Sequence, residues 1–424
     1  MTTPAFADGT PARAIVDLDA IRDNVRALRG HAPSADLMAV VKADGYGHGM
    51  LPAARAALAG GATWLGVATA EEAIALRAGL DTDVRVLVWL LVPGAPFAEL
   101  ITADVDVTVA APWALEEVAA GARAAGRTAR VHVKVDTGLS RNGVAMRDLP
   151  AVVRRAAELE ASGELRVVGV FSHLACADEP GHPSIDRQGA AFDGALAQVA
   201  RAGLRPEVRH LANSAATLTR PDLHHDLVRP GISVYGNSPG PGVGPPGRFG
   251  LRPAMTLESR LANVKQVAAG EGVSYGHTYT TTQDTTVGLV PLGYGDGVPR
   301  HGSGGAGSPG APVAVGDGAT ARVLRVAGRV CMDQFVLDLG PGATERAGDL
   351  VTLFGASDGV AHGSPLPNAQ DWAEAAGTIS YEIVTRLAPR VPRVYVPAAG
   401  TGAIGTPAPA PTGDDPEGER QSRE

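Results

Sequence analysis

Lysine is scarce in this chain, and an amine has chemistry that the guanidinium group of arginine lacks. The 424 residues include 37 Lys plus Arg, and the only lysines are Lys42, Lys134 and Lys265. A primary amine can form a Schiff base, whereas guanidinium is not deprotonated in proteins. Drift in an arginine-rich composition is the alternative explanation for any single lysine. Each lysine is therefore a candidate for amine chemistry until its surroundings are known.

The composition favours small-molecule chemistry over binding to nucleic acid or membranes. The chain has 45 Asp plus Glu and a formal net charge of −8 at pH 7. Nucleic acids and anionic membranes both require clustered positive charge. With 45% hydrophobic residues the chain can bury sizeable cores, and its length is typical of two or three domains. We expect a globular protein whose partner is a small molecule.

The cysteines and the N-terminus indicate a cytoplasmic location. Cys176 and Cys331 are far apart and lack metal-ligand spacing, so we expect free thiols and no metal site. The first 20 residues include early acidic positions and no apolar core, which argues against a secretory signal. The most apolar run, 86–92, ends at Pro93 and is too short to span a bilayer.

Eight β/α units predict a closed barrel in the first part of the chain. Short β-branched runs alternate with helical stretches rich in Ala, Leu, Glu and Arg. Such alternation predicts a parallel sheet, and eight units favour a (β/α)₈ barrel of TIM type over an open sheet. The strand candidates are 37–42, 64–68, 84–91, 105–109, 129–135, 165–171, 208–212 and 227–235.

A second, mostly β domain follows a connection rich in Pro and Gly at 239–247. Helical patterning largely disappears there and β-rich runs replace it. We therefore divide the chain into a barrel at 12–244 and a β domain at 245–398, with residues 1–11 packing on the β domain. The stretch 301–312 is expected to be a flexible loop, and 399–424 a disordered tail.

Polar residues gather where the predicted strands end. Barrel enzymes place their active sites at the carboxyl ends of the strands, so these residues predict a site. They could also belong to simple turns, but a set of Lys, His, Asn, Arg and Gly fits a site better. The strand ends carry Lys42 with ADGYGHG, Asp136 with TGLSRNG, Ser172 with HLACADE, Asn213 with Ser214, and Arg229 with PGI.

Eight motifs resemble those of the alanine racemase family, in that family's order. The segment AVVKADGYGHG at 39–49 is similar to the lysine motif that binds pyridoxal 5'-phosphate (PLP). The others are HVKVDTGLSRNG, GVFSHLACADE, HLANSAA, VRPGISVYG, GVSYGHTY, GRVCMDQ and GTISYEIVTRL. The resemblance implies a barrel-type, PLP-dependent isomerase that interconverts L-alanine and D-alanine for bacterial cell-wall peptidoglycan.

The resemblance assigns a cofactor role to one lysine and to a set of residues around it. Lys42 would carry PLP as an aldimine, which requires a pKa lowered from about 10.4 towards 7 to 8 by burial and neighbouring cations. Arg229 would face the pyridine nitrogen, and because arginine keeps its proton the ring would stay a weak electron sink. The other cofactor-binding residues it implies are Tyr46, His173, Asn213, Ser214, Gly231, Ile232 and Tyr381.

Racemisation needs a base on each face of the substrate carbon. The resemblance implies Lys42 on one face and Tyr275 on the other, with Tyr275 donated by the second domain of a partner subunit in a homodimer. A chain of hydrogen bonds from Tyr275 through His173 to Arg229 would tune that tyrosine. For His173 and for the cofactor-site tyrosines, core packing is the alternative role.

The substrate carboxylate would be bound by Arg141 and, across the dimer, by the backbone N–H of Met332, as the resemblance implies. Lys134 lies seven residues before Arg141, where family members often carry a carbamylated lysine. An unmodified lysine would repel the arginine, so a carbamate or a bound anion is expected at this position. Lys265 lies outside all eight motifs and receives no role.

Three other functions compete with this interpretation. A PLP-barrel amino-acid decarboxylase shares the domain plan but predicts an acidic residue at the pyridine nitrogen, and Arg229 argues against it. A non-catalytic PLP-carrying barrel would need neither the β domain nor Tyr275. A racemase of serine or another small amino acid stays open, because pocket volume is not readable from the sequence.

Overall fold

The predicted barrel is confirmed by the computed structural model, which describes residues 6, 9–305, 307–317, 321–360, 363–364 and 366–396. The predicted tail lies outside these residues. Parallel strands pair in chain order, and the last pairs with the first. Main-chain hydrogen bonds from Asp226 to Arg209 (3.0 Å) and from Arg229 to Ala212 (2.9 Å) complete the ring. The strands are Asp36–Val40, Trp64–Val67, Arg85–Val88, Asp106–Val109, Ala129–Asp136, Leu165–Phe171, Val208–His210 and Leu227–Val228.

Local sequence signals delimit the helices that surround the barrel. Thr69 and Glu72 form a capping box in which each side chain accepts from the other residue's N–H (3.3 and 3.2 Å). Pro112 opens another helix, which ends at Gly126 in the left-handed conformation. The helices of this region are Leu18–His31, Met50–Ala59, Ala70–Ala78, Phe97–Thr102, Pro112–Ala125, Leu149–Ala161, Ser184–Arg201 and Ser214–Thr219.

The eighth predicted strand, 227–235, is wrong in its length. Only Leu227–Val228 is extended, and Ile232–Tyr235 forms a 3₁₀ turn. Pro230 has no N–H to donate to a ladder, and the N–H of Val234 donates instead to the carbonyl of Gly231 (2.9 Å). The chain therefore turns at the barrel mouth immediately after Arg229.

A nine-stranded sheet forms the mostly β second domain, as predicted. Two helices, Ala369–Ala376 and Ser380–Thr385, accompany it. In spatial order its strands are Asn263–Val267, Thr285–Val290, Phe335–Gly340, Arg322–Ala327, Pro312–Val315, Leu350–Phe354, Met255–Arg260, Ala12–Asp17 and Arg393–Val396. Short strands pair outside both main sheets or beside the barrel: Val144–Ala145, Gly272–Val273 with Tyr279–Thr280, and Gly304–Gly305 with Ser308–Pro309.

The strand Ala12–Asp17 belongs to the second sheet, although residue 12 was taken as the start of the barrel. It pairs antiparallel with Met255–Arg260 and parallel with Arg393–Val396. Its ladder is reinforced by a buried ion pair between Arg13 and Glu258 (2.9 Å). A strand so paired on both edges has its backbone donors satisfied only in that sheet. The division between 244 and 245 stays a prediction.

The stretch 301–312, expected to be a flexible loop, contains ordered hairpin strands in its described part. Its glycines permit close backbone packing, since a Cβ on Gly304 would lie 1.9 Å from the carbonyl oxygen of Val326. The N–H of Gly304 also donates to the carbonyl of Gly328 (3.1 Å). Here glycine marks a tight contact rather than freedom of the chain.

Alternation along Ala129–Asp136 gives the barrel a polar interior layer. Successive side chains of a strand point to opposite faces. Val131 and Val133 are fully buried on one face, while His132 and Lys134 are buried on the other, where His132 bonds to Asp106 of the neighbouring strand. The inward face of this strand therefore holds ionisable groups away from water.

Candidate active site

Lys42 lies at the end of the first barrel strand and begins a left-handed turn. Residues 43–47 all have positive φ, between 51° and 80°. Three of them, Ala43, Asp44 and Tyr46, carry a Cβ, and each costs about 1–2 kcal/mol in this conformation. Strain of this kind persists only where surrounding contacts over-determine it. The turn therefore has a positioning purpose.

Contacts from three parts of the fold hold the turn. The N–H of Ala43 donates to the Glu72 carboxylate (2.7 Å), and Arg393 donates to the carbonyl of Gly47 (3.1 Å). A Cβ on Gly47 would lie 2.2 Å from the carbonyl oxygen of Val384, so glycine is required by close approach as well as by its φ of 80°. Both domains thus fix the backbone that follows Lys42.

Lys42 lies in a cluster with three other cations, Lys134, Arg141 and Arg229. Burial lowers the pKa of Lys42, Arg141 lowers it further, and the Glu72 carboxylate opposes them. Burial lowers the pKa of Lys134 to about 8, with further contributions from Arg229, Arg141 and Lys42. Lys42 and Lys134 thus both have the lowered pKa that amine chemistry requires, and the cluster as a whole favours an anionic occupant.

Arg229 is buried, and both terminal nitrogens of its guanidinium have hydrogen-bond partners. Its Nη2 atom donates to the carbonyls of Ser172 (2.6 Å) and Leu211 (3.2 Å). Its Nη1 atom lies 3.1 Å from Nδ1 of His210. The guanidinium carbon also lies 5.3 Å from the ring centroid of Phe171, which is cation–π range. These contacts fix the orientation of the guanidinium plane at the barrel mouth.

His173 lies near the cations, but the predicted hydrogen-bond chain through it is not assembled. Burial lowers the pKa of its imidazole, and Arg229 and the other site cations lower it further. Among the described residues of one chain, no hydrogen bond joins its ring to Arg229 or to Tyr275. The reason is that Arg229 donates its hydrogen bonds to main-chain carbonyls and to His210 instead.

A cradle of small groups lies beside the lysine turn. The Ser214 hydroxyl accepts from the N–H of Gly231 (2.9 Å) and from that of Ser233 (3.4 Å). The Tyr46 hydroxyl lies so close to Gly231 that an added Cβ would be 2.3 Å from it. The rings of Tyr46 and Tyr381 are 6.2 Å apart, so the second domain also contributes. Hydroxyls and amides at this density suit a phosphate group.

Three further residues beside the cradle, Asn213, Ile232 and Tyr381, also have structural roles. The Asn213 side chain caps the helix Ser214–Thr219 by accepting from the N–H of Ala216 (3.1 Å). Ile232 is buried and begins the 3₁₀ turn. The Tyr381 hydroxyl donates to the carbonyl of Pro239 (3.5 Å).

Arg141 lies on a loop that is shaped by Asp136. The Asp136 carboxylate accepts from the N–H of Gly138 (2.9 Å) and of Ser140 (3.1 Å). Gly143 is essential to the return of the loop, because a Cβ there would lie 2.7 Å from the backbone nitrogen of Asp136. Arg141 itself is exposed. Its guanidinium is thus held near the lysines while remaining free to bind a ligand.

Tyr275 and Met332 lie together on the surface of the second domain. Their side chains are 72% and 54% exposed. The loops that carry them are joined by the Ser274 hydroxyl, which donates to the carbonyl of Arg329 (2.7 Å) and lies 3.3 Å from Sγ of Cys331. One exposed surface therefore presents both residues.

Comparison with known proteins decides the family. Residues 16–239 match the model of the alanine racemase N-terminal domain, and residues 254–395 match that of the C-terminal domain. The alanine racemase of Streptomyces coelicolor is 59% identical over 389 residues, 91% of this chain and 96% of that protein. The chain belongs to the alanine racemase family.

Other alanine racemases are similar over the same extent. That of Mycolicibacterium smegmatis is 51% identical over 399 residues, 94% of this chain and 97% of its own. The solved alanine racemase structure from Streptomyces coelicolor superposes with a TM-score of 0.86 at 57% identity, covering 92% of this chain and 98% of that one. The Streptomyces lavendulae structure gives 0.85 at 53% identity, covering 93% and 98%.

Two positioning residues in this alanine racemase family member escaped the sequence prediction. Gln188, on the helix Ser184–Arg201, donates to the carbonyl of His173 (3.0 Å) and to the hydroxyl of Thr137 (3.3 Å), which ties two strand ends together. Glu72 was recognisable as a capping-box residue. Its second carboxylate oxygen accepts from the N–H of Ala43, which lies 29 residues away in sequence, and no local pattern predicts that contact.

Close packing in the cradle predicts a stability effect. Gly231→Ala should lower the free energy of unfolding by about 1–3 kcal/mol, because the new methyl overlaps the Tyr46 hydroxyl. In a Tyr46→Phe background the penalty should be smaller, since the nearest atom is removed. Urea denaturation measures both values.

A matched glycine on a helix provides the control. A Cβ on Gly194 meets nothing within 4 Å, so Gly194→Ala should raise the free energy of unfolding by up to about 1 kcal/mol. A Gly231→Ala variant as stable as the wild type would contradict the close contact.

Proposed function

We propose that this chain interconverts L-alanine and D-alanine as a PLP-dependent isomerase. The observation that carries the proposal is the meeting of Lys42, Lys134, Arg141 and Arg229 at the carboxyl ends of the barrel strands. A lysine with a lowered pKa among uncompensated cations suits a carbonyl cofactor that bears a phosphate and a substrate that bears a carboxylate. Membership of the alanine racemase family supplies the substrate.

The residues present fit PLP. The cationic cluster lacks enough carboxylates to neutralise it, and the Gly231–Tyr46 approach leaves a cradle that any Cβ would obstruct. Lys42 would hold the cofactor covalently and Arg229 would meet its ring nitrogen. The proposed phosphate contacts are Tyr46, Ser214, Gly231, Ile232 and Tyr381, with His173 and Asn213 beside the ring.

When bound, PLP withdraws electrons from the substrate Cα–H bond and so makes that proton exchangeable. The chain supplies the bases. Nζ of Lys42 would take or return the proton on one face, and Oη of Tyr275 on the other. Arg141 and the N–H of Met332 would bind the carboxylate and fix which face each base meets.

Arg229 supports racemisation over decarboxylation. Its guanidinium keeps its protons, so it can only donate to the ring nitrogen and cannot protonate it as an acid would. A weaker electron sink favours prompt return of a proton to Cα. The decarboxylase alternative requires an acidic residue at the ring nitrogen, and Arg229 holds that place in this proposal. The hydrogen-bond partners of Arg229 are carbonyls and an imidazole.

A homodimer with sites shared between subunits is part of the proposal. The exposed surface that carries Tyr275 and Met332 also includes Tyr294, whose N–H donates to the carbonyl of Cys331 (3.0 Å) and which is 41% exposed. Apolar and aromatic side chains left in water at this density indicate an interface. A second copy would place Tyr275 and Met332 opposite the barrel mouth.

The proposed location of the protein is the cytoplasm, and its proposed pathway is cell-wall synthesis. No helix among the described residues is long and apolar enough to cross a membrane. Cys176 and Cys331 are free, which supports a reducing cytoplasm. D-alanine made there would serve peptidoglycan synthesis.

Racemisation in deuterated water tests the function. The purified protein with PLP should abolish the optical rotation of L-alanine while deuterium enters at Cα. Parallel reactions with L-serine measure how far the pocket accepts a hydroxyl. Release of carbon dioxide without loss of rotation would contradict the proposal.

Lys134 is proposed to carry a carbamate, and pH tests this. A carbamate forms from the neutral amine, and the neutral fraction rises through the pKa of about 8. At fixed dissolved ¹³CO₂ the carbamate ¹³C NMR signal should therefore increase from pH 7 to pH 9.

The lysines themselves provide the controls for the carbamate. Lys134→Arg should remove the signal, and Lys265→Arg should leave it unchanged, because Lys265 is exposed on a strand outside the site motifs. Absence of any signal that depends on Lys134 would show that the amine stays unmodified.

A further inference from the structure

Four buried side chains form one line of hydrogen bonds through the barrel interior. Oδ2 of Asp106 lies 3.1 Å from Nε2 of His132, and Nδ1 of His132 lies 2.9 Å from Nε2 of His210. Nδ1 of His210 then lies 3.1 Å from Nη1 of Arg229. Asp106, His132 and His210 are all 0% exposed. The proposed reaction uses only Arg229, so the other three have no role yet.

Asp106, at the end of the line opposite Arg229, carries a negative charge. Burial alone would raise the pKa of its carboxyl, but His132 and Arg85 lower it to about 2. Arg85 and Arg130 both contact its oxygens, Arg130 through Nε at 2.5 Å. The carboxylate is therefore ionised and can only accept hydrogen bonds.

The Asp106 carboxylate and the Arg229 guanidinium, at the two ends of the line, then set the same direction for every bond between them. Burial lowers the pKa of both histidines, so each is neutral and has one donor and one acceptor nitrogen. His132 must donate to Asp106 from Nε2, and its Nδ1 must accept from Nε2 of His210. Nδ1 of His210 is left to accept from Arg229, which can only donate. These tautomers are assigned from the network.

The reverse arrangement is electrostatically excluded. If His132 carried its proton on Nδ1, its Nε2 lone pair would face a buried carboxylate. His210 would then carry its proton on Nδ1, against the N–H of Arg229, so that a donor would face a donor. Buried polar groups without partners cost far more than the bond they lose. The line therefore has one stable polarity.

We propose that Asp106 is a positioning residue for the racemase site: it fixes the tautomer of His132, which then accepts from His210, and His210 in turn holds Arg229 in the orientation that meets the cofactor. This inference rests on the proposed function for the role of Arg229. The geometry of the line itself is independent of that role.

Histidine tautomers in the full-length protein test the inference directly. Two-bond ¹⁵N–¹H correlation spectra of ¹⁵N-histidine-labelled protein should show both His132 and His210 protonated on Nε2. Asp106→Asn removes the charge and places an amide N–H among donors. We expect the His132 signal to leave the Nε2–H pattern and the dissociation constant for PLP to rise by about 10-fold or more.

Asp104→Asn is the matched control. Asp104 also binds Arg130 (2.7 Å) but does not contact the histidines, and its φ of 60° suits asparagine. This variant should leave both the tautomers and PLP affinity unchanged. Equal effects of the two variants would show that the Arg130 cluster acts only through general stability, and would overturn the inference.

A pair of variants at His132 keeps the test valid if Asp106→Asn does not fold. Glutamine retains one donor for Asp106 and one acceptor for His210, whereas leucine has neither. His132→Gln should keep near wild-type PLP affinity, whereas His132→Leu leaves the Nε2–H of His210 without an acceptor and should weaken PLP binding by about 10-fold or more.

Unchanged PLP affinity in His132→Leu would overturn the inference. Because tautomers and PLP affinity are measured without substrate, a wild-type protein that fails to racemise alanine would contradict the proposed function and leave the tautomer result standing.

Discussion

Replacing Lys42 by alanine is expected to lower kcat/KM for alanine racemisation by at least about 10⁴-fold, because one amine serves both as the covalent anchor and as a base. The same change should end covalent attachment of PLP. Borohydride treatment followed by peptide mass spectrometry should find the cofactor on Lys42 in the wild type and on no peptide of the variant.

Lys265→Ala is the control for this prediction. Lys265 is an exposed lysine on the strand Asn263–Val267, and its pairing residue is Val287. This variant should keep full activity and the label on Lys42. Racemisation by Lys42→Ala near the wild-type rate would refute the assignment.

Replacing Tyr275 by phenylalanine is expected to lower kcat by about 10²–10⁴-fold while PLP affinity stays near the wild-type value. With one base left, a proton can leave and return only on the face of Lys42. One enantiomer of alanine should therefore still exchange its Cα proton with deuterated water without inversion. Chiral chromatography combined with mass spectrometry separates exchange from racemisation.

Tyr279→Phe provides the comparison, since Tyr279 lies four residues away and its hydroxyl donates to Asp338 (2.6 Å) within the second domain. Activity should be retained there. Loss of PLP binding in Tyr275→Phe, or exchange lost equally for both enantiomers, would contradict a role for Tyr275 as the second base.

Mixing the two inactive proteins tests whether the site is shared between subunits. In a heterodimer of Lys42→Ala and Tyr275→Phe chains, one site would combine Lys42 of one subunit with Tyr275 of the other. Random pairing should then restore about one quarter of wild-type activity. If each site used residues of one chain only, subunit exchange would restore nothing.

Much of the fold followed from local patterns. Seven barrel strands were placed at the right positions, although the third, 84–91, extends only over Arg85–Val88. Their positions could be predicted because buried parallel strands are short, β-branched and separated by helices with clear start and stop signals. The eighth was too long because the pattern VRPGISVY is apolar enough for a strand, and only the missing N–H of Pro230 and the closing bond at Gly231 make it a turn. Ala12–Asp17 was assigned to the barrel although it belongs to the second sheet, because pairing partners 239 or more residues away leave no local sign.

Some residues of the site could also be predicted from the sequence, and others could not. Lys42, Arg229, Ser214 and Gly231 could be named from motifs, since their chemistry depends on residue type and on a place at a strand end. The roles of Glu72 and Gln188 could not, because each depends on which groups the fold brings within 3 Å of one side chain.

By itself the sequence determined the family, the barrel and the residues whose chemistry no other residue type supplies. Only the tertiary structure decided the lowered pKa of Lys42 and Lys134, the left-handed turn after Lys42, and the line of hydrogen bonds from Asp106 to Arg229. The physical reason is that residue type fixes which protons a group can exchange. Burial, neighbouring charge and hydrogen-bond direction fix where those protons stay, and these are properties of groups that meet only in the folded barrel.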